Sequence, residues 1–412
     1  MTTRVLLPLL ISLGFASSAF AAQNRQPDIP PAGGGLSMQS VRQCNGAEPV
    51  PAIMGCTAII NARSSTPTQR SGALTNRGRA YATRGDMDRA IADFNQAVEI
   101  DPMNSRALAN RGDFYSAMGD YDRAVQDYDR AIMANPKDFE AYNQRGTVHL
   151  INGEPDKAIP DYDKAIEVNP KFAPAFTNRG EAYRIQGDYD RAIDNFNQAL
   201  MVDPKFATAL DNRGIAYIEK GDYMRGIADF DAALKLDPKM TIVYTHRATA
   251  HATNGAKNLA LADFDQAIKV DPSDPYIYMS RGNLFLEGSE LDRAIKDYDS
   301  AIMIDRNYGE AFANRGVAYA RLGNFNRAVV DFDRAITLDP RLPDLFANRG
   351  LSYVKTGQWA RAIADLDKAV TSNPRDAFSL YNRGVAKQQS GDRPGGEADM
   401  TRARSMDPNV GK

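Results

Sequence analysis

The chain has 412 residues, with 50 Lys or Arg against 52 Asp or Glu and a formal charge of −2. So balanced a chain carries no global field for nucleic acid or anionic lipid, and neither is expected as a partner. Length alone suggests two or three domains, an expectation that an internal repeat overrides.

Met1-Thr2-Thr3-Arg4 is a basic start, Val5 to Phe15 is apolar, and Ala19-Phe20-Ala21 is an A-x-A cleavage site. The pattern predicts a signal peptide over 1–21, cut before Ala22, and hence an exported protein, periplasmic or secreted. The apolar run is too short to span a bilayer, no cysteine follows the cut to carry a lipid, and no membrane span is expected elsewhere. Residues 22–36 hold Pro27, Pro30, Pro31 and Gly33-Gly34-Gly35, a composition that reads as a flexible leader. Residues 37–70 contain both cysteines of the chain, Cys44 and Cys56. In an exported protein this pair predicts a disulfide, because two thiolates without nearby histidine cannot fill a metal's tetrahedral shell. Ala52 to Ile60 is patterned like Ala90 to Val98, with Cys56 in the slot of Phe94, so 37–70 reads as a divergent half-repeat that caps a longer array.

From there Asn76-Arg77-Gly78 returns every 34 residues, its third slot at Gly78, Gly112, Gly146, Gly180, Gly214, Ala248, Gly282, Gly316, Gly350 and Gly384. Ten units result: 71–104, 105–138, 139–172, 173–206, 207–240, 241–274, 275–308, 309–342, 343–376 and 377–410. Counting Ser71 as position 1, large apolar residues at position 4, glycine at 8 and mostly aromatic residues at 11 make one helical stripe, helix A. Position 15 is glycine in nine units and Ser289 in the seventh, suited to a left-handed helix end. Acidic residues such as Asp86, Asp120 and Asp188 then stand ready to cap the next helix. Ala90, Phe94 and Ala97 at positions 20, 24 and 27 mark helix B, and proline at position 32 closes every unit but the seventh, which has Arg306. Pro155 and Pro160 are expected to shorten or kink helix B of the third unit. Glu397, Asp399, Arg402 and Arg404 read as the polar face of a terminal cap.

Large apolar, Gly, Tyr, then Ala, aromatic, Ala and Pro at these spacings resemble the tetratricopeptide repeat over about five-sixths of the chain. The resemblance implies an all-α, right-handed superhelical solenoid of ten 34-residue antiparallel helix pairs, with helices A lining a concave groove that binds peptides or protein segments. One position departs from the pattern. Position 7, where leucine is usual, is Arg77, Arg111, Arg145, Arg179, Arg213, Arg247, Arg281, Arg315, Arg349 and Arg383.

Position 7 lies on the buried stripe, where a charge needs a partner. In an antiparallel pair whose positions 4 and 27 meet, position 7 faces 24 and its neighbour 23. Position 23 is acidic in nine units, and Asn195 in the fourth. Structural pairs are therefore expected, among them Arg77 with Asp93, Arg111 with Asp127, Arg213 with Asp229 and Arg315 with Asp331. Aspartates at position 25, such as Asp129, Asp163 and Asp231, are expected to be solvated.

The groove candidates stand at position 6: Asn76, Asn110, Gln144, Asn178, Asn212, His246, Ser280, Asn314, Asn348 and Asn382. An amide both donates and accepts, so a row of them grips a peptide backbone without reading its side chains. Asparagine also bonds within its own helix turn, which is the competing reading. Tyr276 and Met279 add an apolar patch; Asp113, Glu181, Arg184 and Asp211 give the first half mixed charge. The lysine at position 5 used by chaperone-binding members is missing from all ten units, so a chaperone tail is not expected.

No phosphate loop, nucleophile elbow or dinucleotide fingerprint occurs, and His149, His246 and His251 lack metal-ligand spacing. The expected protein is a non-enzymatic scaffold that takes an extended peptide or protein segment, with no cofactor, no metal and no small-molecule substrate. The alternative is an assembly factor for an exported polysaccharide, holding an anionic glycan in the same groove.

Overall fold

The computed structural model describes residues 36–342 and 344–411; the expected signal peptide and nearly all of the leader lie outside them. The described residues are helical, without strands, and divide into two compact units, one ending at Pro238 and one beginning at Lys239. The first contains α1 (Met38–Cys44), α2 (Pro49–Asn61), α3 (Pro67–Thr83), α4 (Met87–Ile100), α5 (Ser105–Ala117), α6 (Tyr121–Ala134), α7 (Phe139–Ile151), α8 (Pro155–Val168), α9 (Ala173–Ile185), α10 (Tyr189–Val202), α11 (Ala207–Glu219) and α12 (Tyr223–Leu236). The second contains α13 (Thr241–Thr253), α14 (Lys257–Val270), α15 (Pro275–Glu287), α16 (Leu291–Ile304), α17 (Gly309–Arg321), α18 (Phe325–Leu338), α19 (Leu345–Lys355), α20 (Trp359–Ser372), α21 (Ala377–Gln389) and α22 (Arg393–Met406).

Within each unit, every helix A packs on its own helix B and that helix B on the next helix A. The pairs are antiparallel. In the first repeat Ser71 Oγ donates to the Ala97 carbonyl at 2.9 Å, while farther along helix A Arg77 reaches back to Asp93.

Two glycines per repeat serve different ends. Those between A and B, such as Gly85 and Gly119, have φ near +78° with nothing within 4 Å of a would-be Cβ, so the demand is conformational. Ser289 occupies the same left-handed region at φ 58°. At position 8 the demand is steric: a Cβ on Gly78 would stand 2.9 Å from the ring of Phe94, which is wholly buried. Helix B then starts on a side-chain cap, Asp120 Oδ1 accepting the Arg123 N–H at 3.2 Å in α6. The arginine also folds over the helix A aromatic, its guanidinium 4.4 Å from the centre of Tyr115.

Three expectations need correction. Helix B of the third repeat is not shortened: α8 has 14 residues, the same as α6 and α10. Pro155 sits at its first turn, where no backbone donor is needed, and Pro160 stays on an exposed edge. Asp399 is no part of a polar cap face, being buried against Arg383. The segment before the array is a pair of helices, and α3 begins at Pro67 on a Thr66–Gln69 capping box, ahead of the 71 boundary. A disulfide joins Cys44 to Cys56, tying α1 to α2 in a small core with Val41, Ile59 and Ala73.

Candidate functional site

The arginines of position 7 are held on two sides. Arg111 Nε and Nη2 bind the two oxygens of Asp127 at 2.7 and 2.8 Å, a parallel fork across its own hairpin. Its Nη1 donates to Asn95 at 2.9 Å, on helix B of the preceding repeat. The pattern recurs in both units. Arg213 binds Asp229 and Asn197, Arg315 binds Asp331 and Asp299, and Arg383 binds Asp399 and Asp367. Arg145 reaches Asp129 and Arg179 reaches Asp163 by the same third arm, so these two position 25 aspartates are not simply solvated. Where position 23 is Asn195, Arg179 keeps one bond to its amide oxygen, at 2.8 Å. Arg247, Arg281 and Arg349 fork onto Asp263, Asp297 and Asp365. Asp127 and Asp331 are each 3% exposed, which makes the guanidinium their necessary partner. The bond to Asp127 in turn holds Arg111 above its ordinary pKa.

The ladder extends into the disulfide-bonded segment. Arg77 forks onto Asp93 and donates Nη1 to Thr57 on α2 at 3.0 Å, the slot that Asn95 fills for Arg111. Asn45, beside the disulfide, accepts from Asn76 at 3.2 Å.

Position 6 is less open than the sequence suggests. Asn76, Asn110, Asn212, His246, Ser280 and Asn382 are all under 9% exposed, while Gln144, Asn178, Asn314 and Asn348 are half-buried. The cause is contact between successive helices A, such as α5 with α7 and α7 with α9. Position 6 lands against positions 5 and 9 of the repeat before. Asn178 donates to Asn143 at 3.0 Å, and Asn314 to Asn283 at 2.9 Å. Asn110 and Asn382 turn inward instead, each donating at 2.8 Å to the carbonyl four residues back. Met279 is 1% exposed, its sulfur accepting from Asn283, so it offers no surface to a ligand. Tyr276 remains half-buried, and burial pushes its phenol pKa up.

The charged residues expected to face the groove pair with each other or with the core. Tyr128 donates to Asp113 at 2.8 Å and Tyr298 to Asn283 at 2.8 Å; Tyr162 contacts Thr147 at 3.4 Å. These are the three repeats with tyrosine at position 24, and each has a hydrogen-bonding residue at position 9, a correlation visible in the sequence that exposes position 9 as core. On α9 and α11, Arg184 forks onto Glu181 at 2.7 and 2.8 Å and binds Glu219 at 2.5 Å, all three side chains under 8% exposed. Burial, with Glu219 and Asp211 close by, raises the Glu181 pKa even against Arg184. His149 lies 3.0 Å from Glu154, and His251 3.9 Å from Asp263.

Family models described as tetratricopeptide repeat match residues 81–144, 139–172, 161–194, 212–263, 309–342 and 348–409, and one described as TPR repeat matches 180–221 and 282–323. The chain belongs to the tetratricopeptide-repeat family. Among solved structures it is similar to a tetratricopeptide repeat protein from Parabacteroides merdae ATCC 43184. That match has 23% identity and a TM-score of 0.52, over 60% of this chain and 98% of that one, and it shows the shared fold. It is also similar to YrrB, a TPR protein with an unusual peptide-binding site, at 25% identity and a TM-score of 0.36 over 45% of this chain and 96% of that one. A search of curated proteins found no match. The tetratricopeptide-repeat fold is that of a protein–protein interaction scaffold, and among the described residues no helix is long and apolar enough to cross a membrane.

Proposed function

We propose that the protein is a non-enzymatic scaffold, acting after export, that holds an extended peptide or protein segment along the face of helices A. The observation that carries this reading is the state of the arginines. All ten of position 7 are bound inside the array, which supports a structural role for them and leaves no free row of cations at that position. Gln144 and Asn178 in the first unit, and Asn314, Asn348 and Tyr276 in the second, are half-buried residues of helices A. Their amides suit a backbone. A glycan held by anionic groups needs a row of uncommitted cations, and position 7 does not supply it.

The test is capture of partners from extract of the source compartment, with partners identified and quantified by mass spectrometry. Asn178→Ala with Asn314→Ala should reduce capture while leaving the melting temperature within about 2 °C, since half-exposed neutral bonds contribute little. Capture should persist at high salt, because amide contacts are weakly screened. Unchanged capture by the double variant, or loss of capture over a modest rise in salt, would overturn the reading.

A further inference from the structure

The seventh repeat is the one that lacks a closing proline, and Arg306 stands in its place. Beside it, between α16, α17 and α18, is a shallow depression of about 410 Å³ lined by Ile302, Met303, Arg306, Phe312 and Arg334. Its floor is apolar. Ile302 and Phe312 are half-buried, and Met303 stands 80% exposed at the rim with Ile304, 40% exposed, next to it.

The rim is cationic. Arg334 Nη2 donates to the Arg306 carbonyl and to Asn307 Oδ1, both at 3.3 Å, and its guanidinium lies 5.9 Å from the centre of the Phe312 ring. Those acceptors are neutral, and among the described residues neither Arg306 nor Arg334 has a carboxylate partner. What sets this junction apart is the second cation at the closing position: in the ninth repeat Lys368 also lies over a ring, 4.6 Å from the centre of Phe346, but the closing residue there is Pro340. Between the second and third repeats, Met133 and Tyr142 have Lys164 beside them, but Lys164 is bound to Glu167 at 2.8 Å. The sixth and seventh repeats meet at Lys269, Tyr278 and Ser300. The first and second meet at a fully buried Leu108, with no aromatic ring to stack on.

We propose that this depression docks an acidic peptide segment of a partner protein, with an aspartate or glutamate placed between Arg306 and Arg334 and a neighbouring apolar side chain on Ile302, Met303 and Phe312. The site is formed by α16, α18 and the start of α17, and it uses none of the position 6 residues. Two guanidiniums match one carboxylate in charge and planarity, and a carboxylate that loses only part of its hydration at a shallow rim keeps the contact favourable. The apolar floor supplies contact area that charge alone does not use.

Three blocked probe peptides separate the contributions: acetyl-Leu-Asp-Phe-Glu-amide, the neutral acetyl-Leu-Asn-Phe-Gln-amide, and the charge-only acetyl-Gly-Asp-Gly-Glu-amide. Binding to the full mature chain is followed by NMR shifts of labelled methionine methyls, with Met303 as the reporter. The first peptide should bind, and each of the other two should bind at least about fivefold more weakly. Arg306→Pro restores the residue that the other nine repeats carry, so it should fold normally, and it should weaken the first peptide by about fivefold; Arg334→Gln should do the same. The proposal fails if the first peptide does not shift Met303 at millimolar concentration, if the charge-only or neutral peptide binds as well, or if Arg306→Pro binds undiminished. It also fails if the wild-type chain self-associates at assay concentration and Arg306→Pro does not, since the occupant is then a second copy of the chain.

Discussion

Arg111→Ala removes one guanidinium from the ladder and leaves its partner where it was. Asp127 is 3% exposed, and its carboxylate would keep neither of the two short bonds it now accepts from Arg111. Removing one member of a buried pair costs about 3–5 kcal/mol, mostly as the desolvation of the charge left behind. The Arg111 side chain is 15% exposed, so water can partly reach the vacated site, and Arg130 stays 3.9 Å from Asp127, so the lower end, about 3 kcal/mol, is the expectation. The bond to Asn95 is lost as well, which couples the first repeat to the second. Repeat arrays gain stability from nearest neighbours, so the loss should be local. Amide hydrogen exchange should speed up in α4, α5 and α6 and stay unchanged in the second unit, while urea denaturation reports the overall decrease. A second variant isolates the cause. Arg111→Met with Asp127→Leu removes both charges and fills the space, and it should return to within about 1 kcal/mol of the parent. If Arg111→Ala alone lies within about 0.5 kcal/mol of the parent, a difference typical of surface substitutions, the arginines are not structural and the reasoning fails.

Gly214→Ala should cost about 1–3 kcal/mol, because its Cβ would come within 2.6 Å of the Phe230 ring, which is 1% exposed and has nowhere to move; an unchanged denaturation midpoint would refute the packing account. Reducing the Cys44–Cys56 bond should cost about 3 kcal/mol, from the freedom regained by the segment between them, with exchange protection lost first in α1 and α2. Protection lost first in α5 or beyond would contradict the cap. Acid should weaken the helix starts. Asp120 is held below the usual aspartate pKa by the side chain and then the backbone N–H of Arg123; Asp188 and Asp222 are held there by the backbone N–H and then the side chain of Arg191 and Arg225. A depressed folded pKa gives stability that is present above the unfolded value, about 3.9, and lost as pH falls through the folded one. The melting temperature should therefore drop below about pH 4, with a shallower drop in the triple Asp→Asn variant; identical slopes would argue against the caps.

The fold was legible because the sequence repeats its own local rules: glycine, cap, apolar stripe and closing proline recur in register, and each has one reading. Arg77 and Asp93 could be matched because a helix pair fixes which positions face each other. What one repeat does not encode is its contact with the next. The third arm from Arg145 to Asp129 depends on the stacking geometry between repeats, so position 25 reads as solvent from the sequence. Contact between successive helices A likewise closes their face over Asn110 and Met279, which a helical wheel leaves outward. Tyr128 with Asp113 and Tyr298 with Asn283 could have warned of this, since tyrosine appears at position 24 only where position 9 can bond it.

The central claim, that the helix A face holds a peptide while the arginines only hold the array, is tested most directly by site-specific photo-cross-linking. A photoreactive residue replaces Asn178 or Asn314 on helix A, or Met133 or Met201, which are 77% and 75% exposed on helix B. The expected result is a cross-linked partner, mapped in each case to an extended segment, from Asn178 in the first unit and from Asn314 in the second, and none from Met133 or Met201. Cross-links confined to the two helix B positions would contradict the claim.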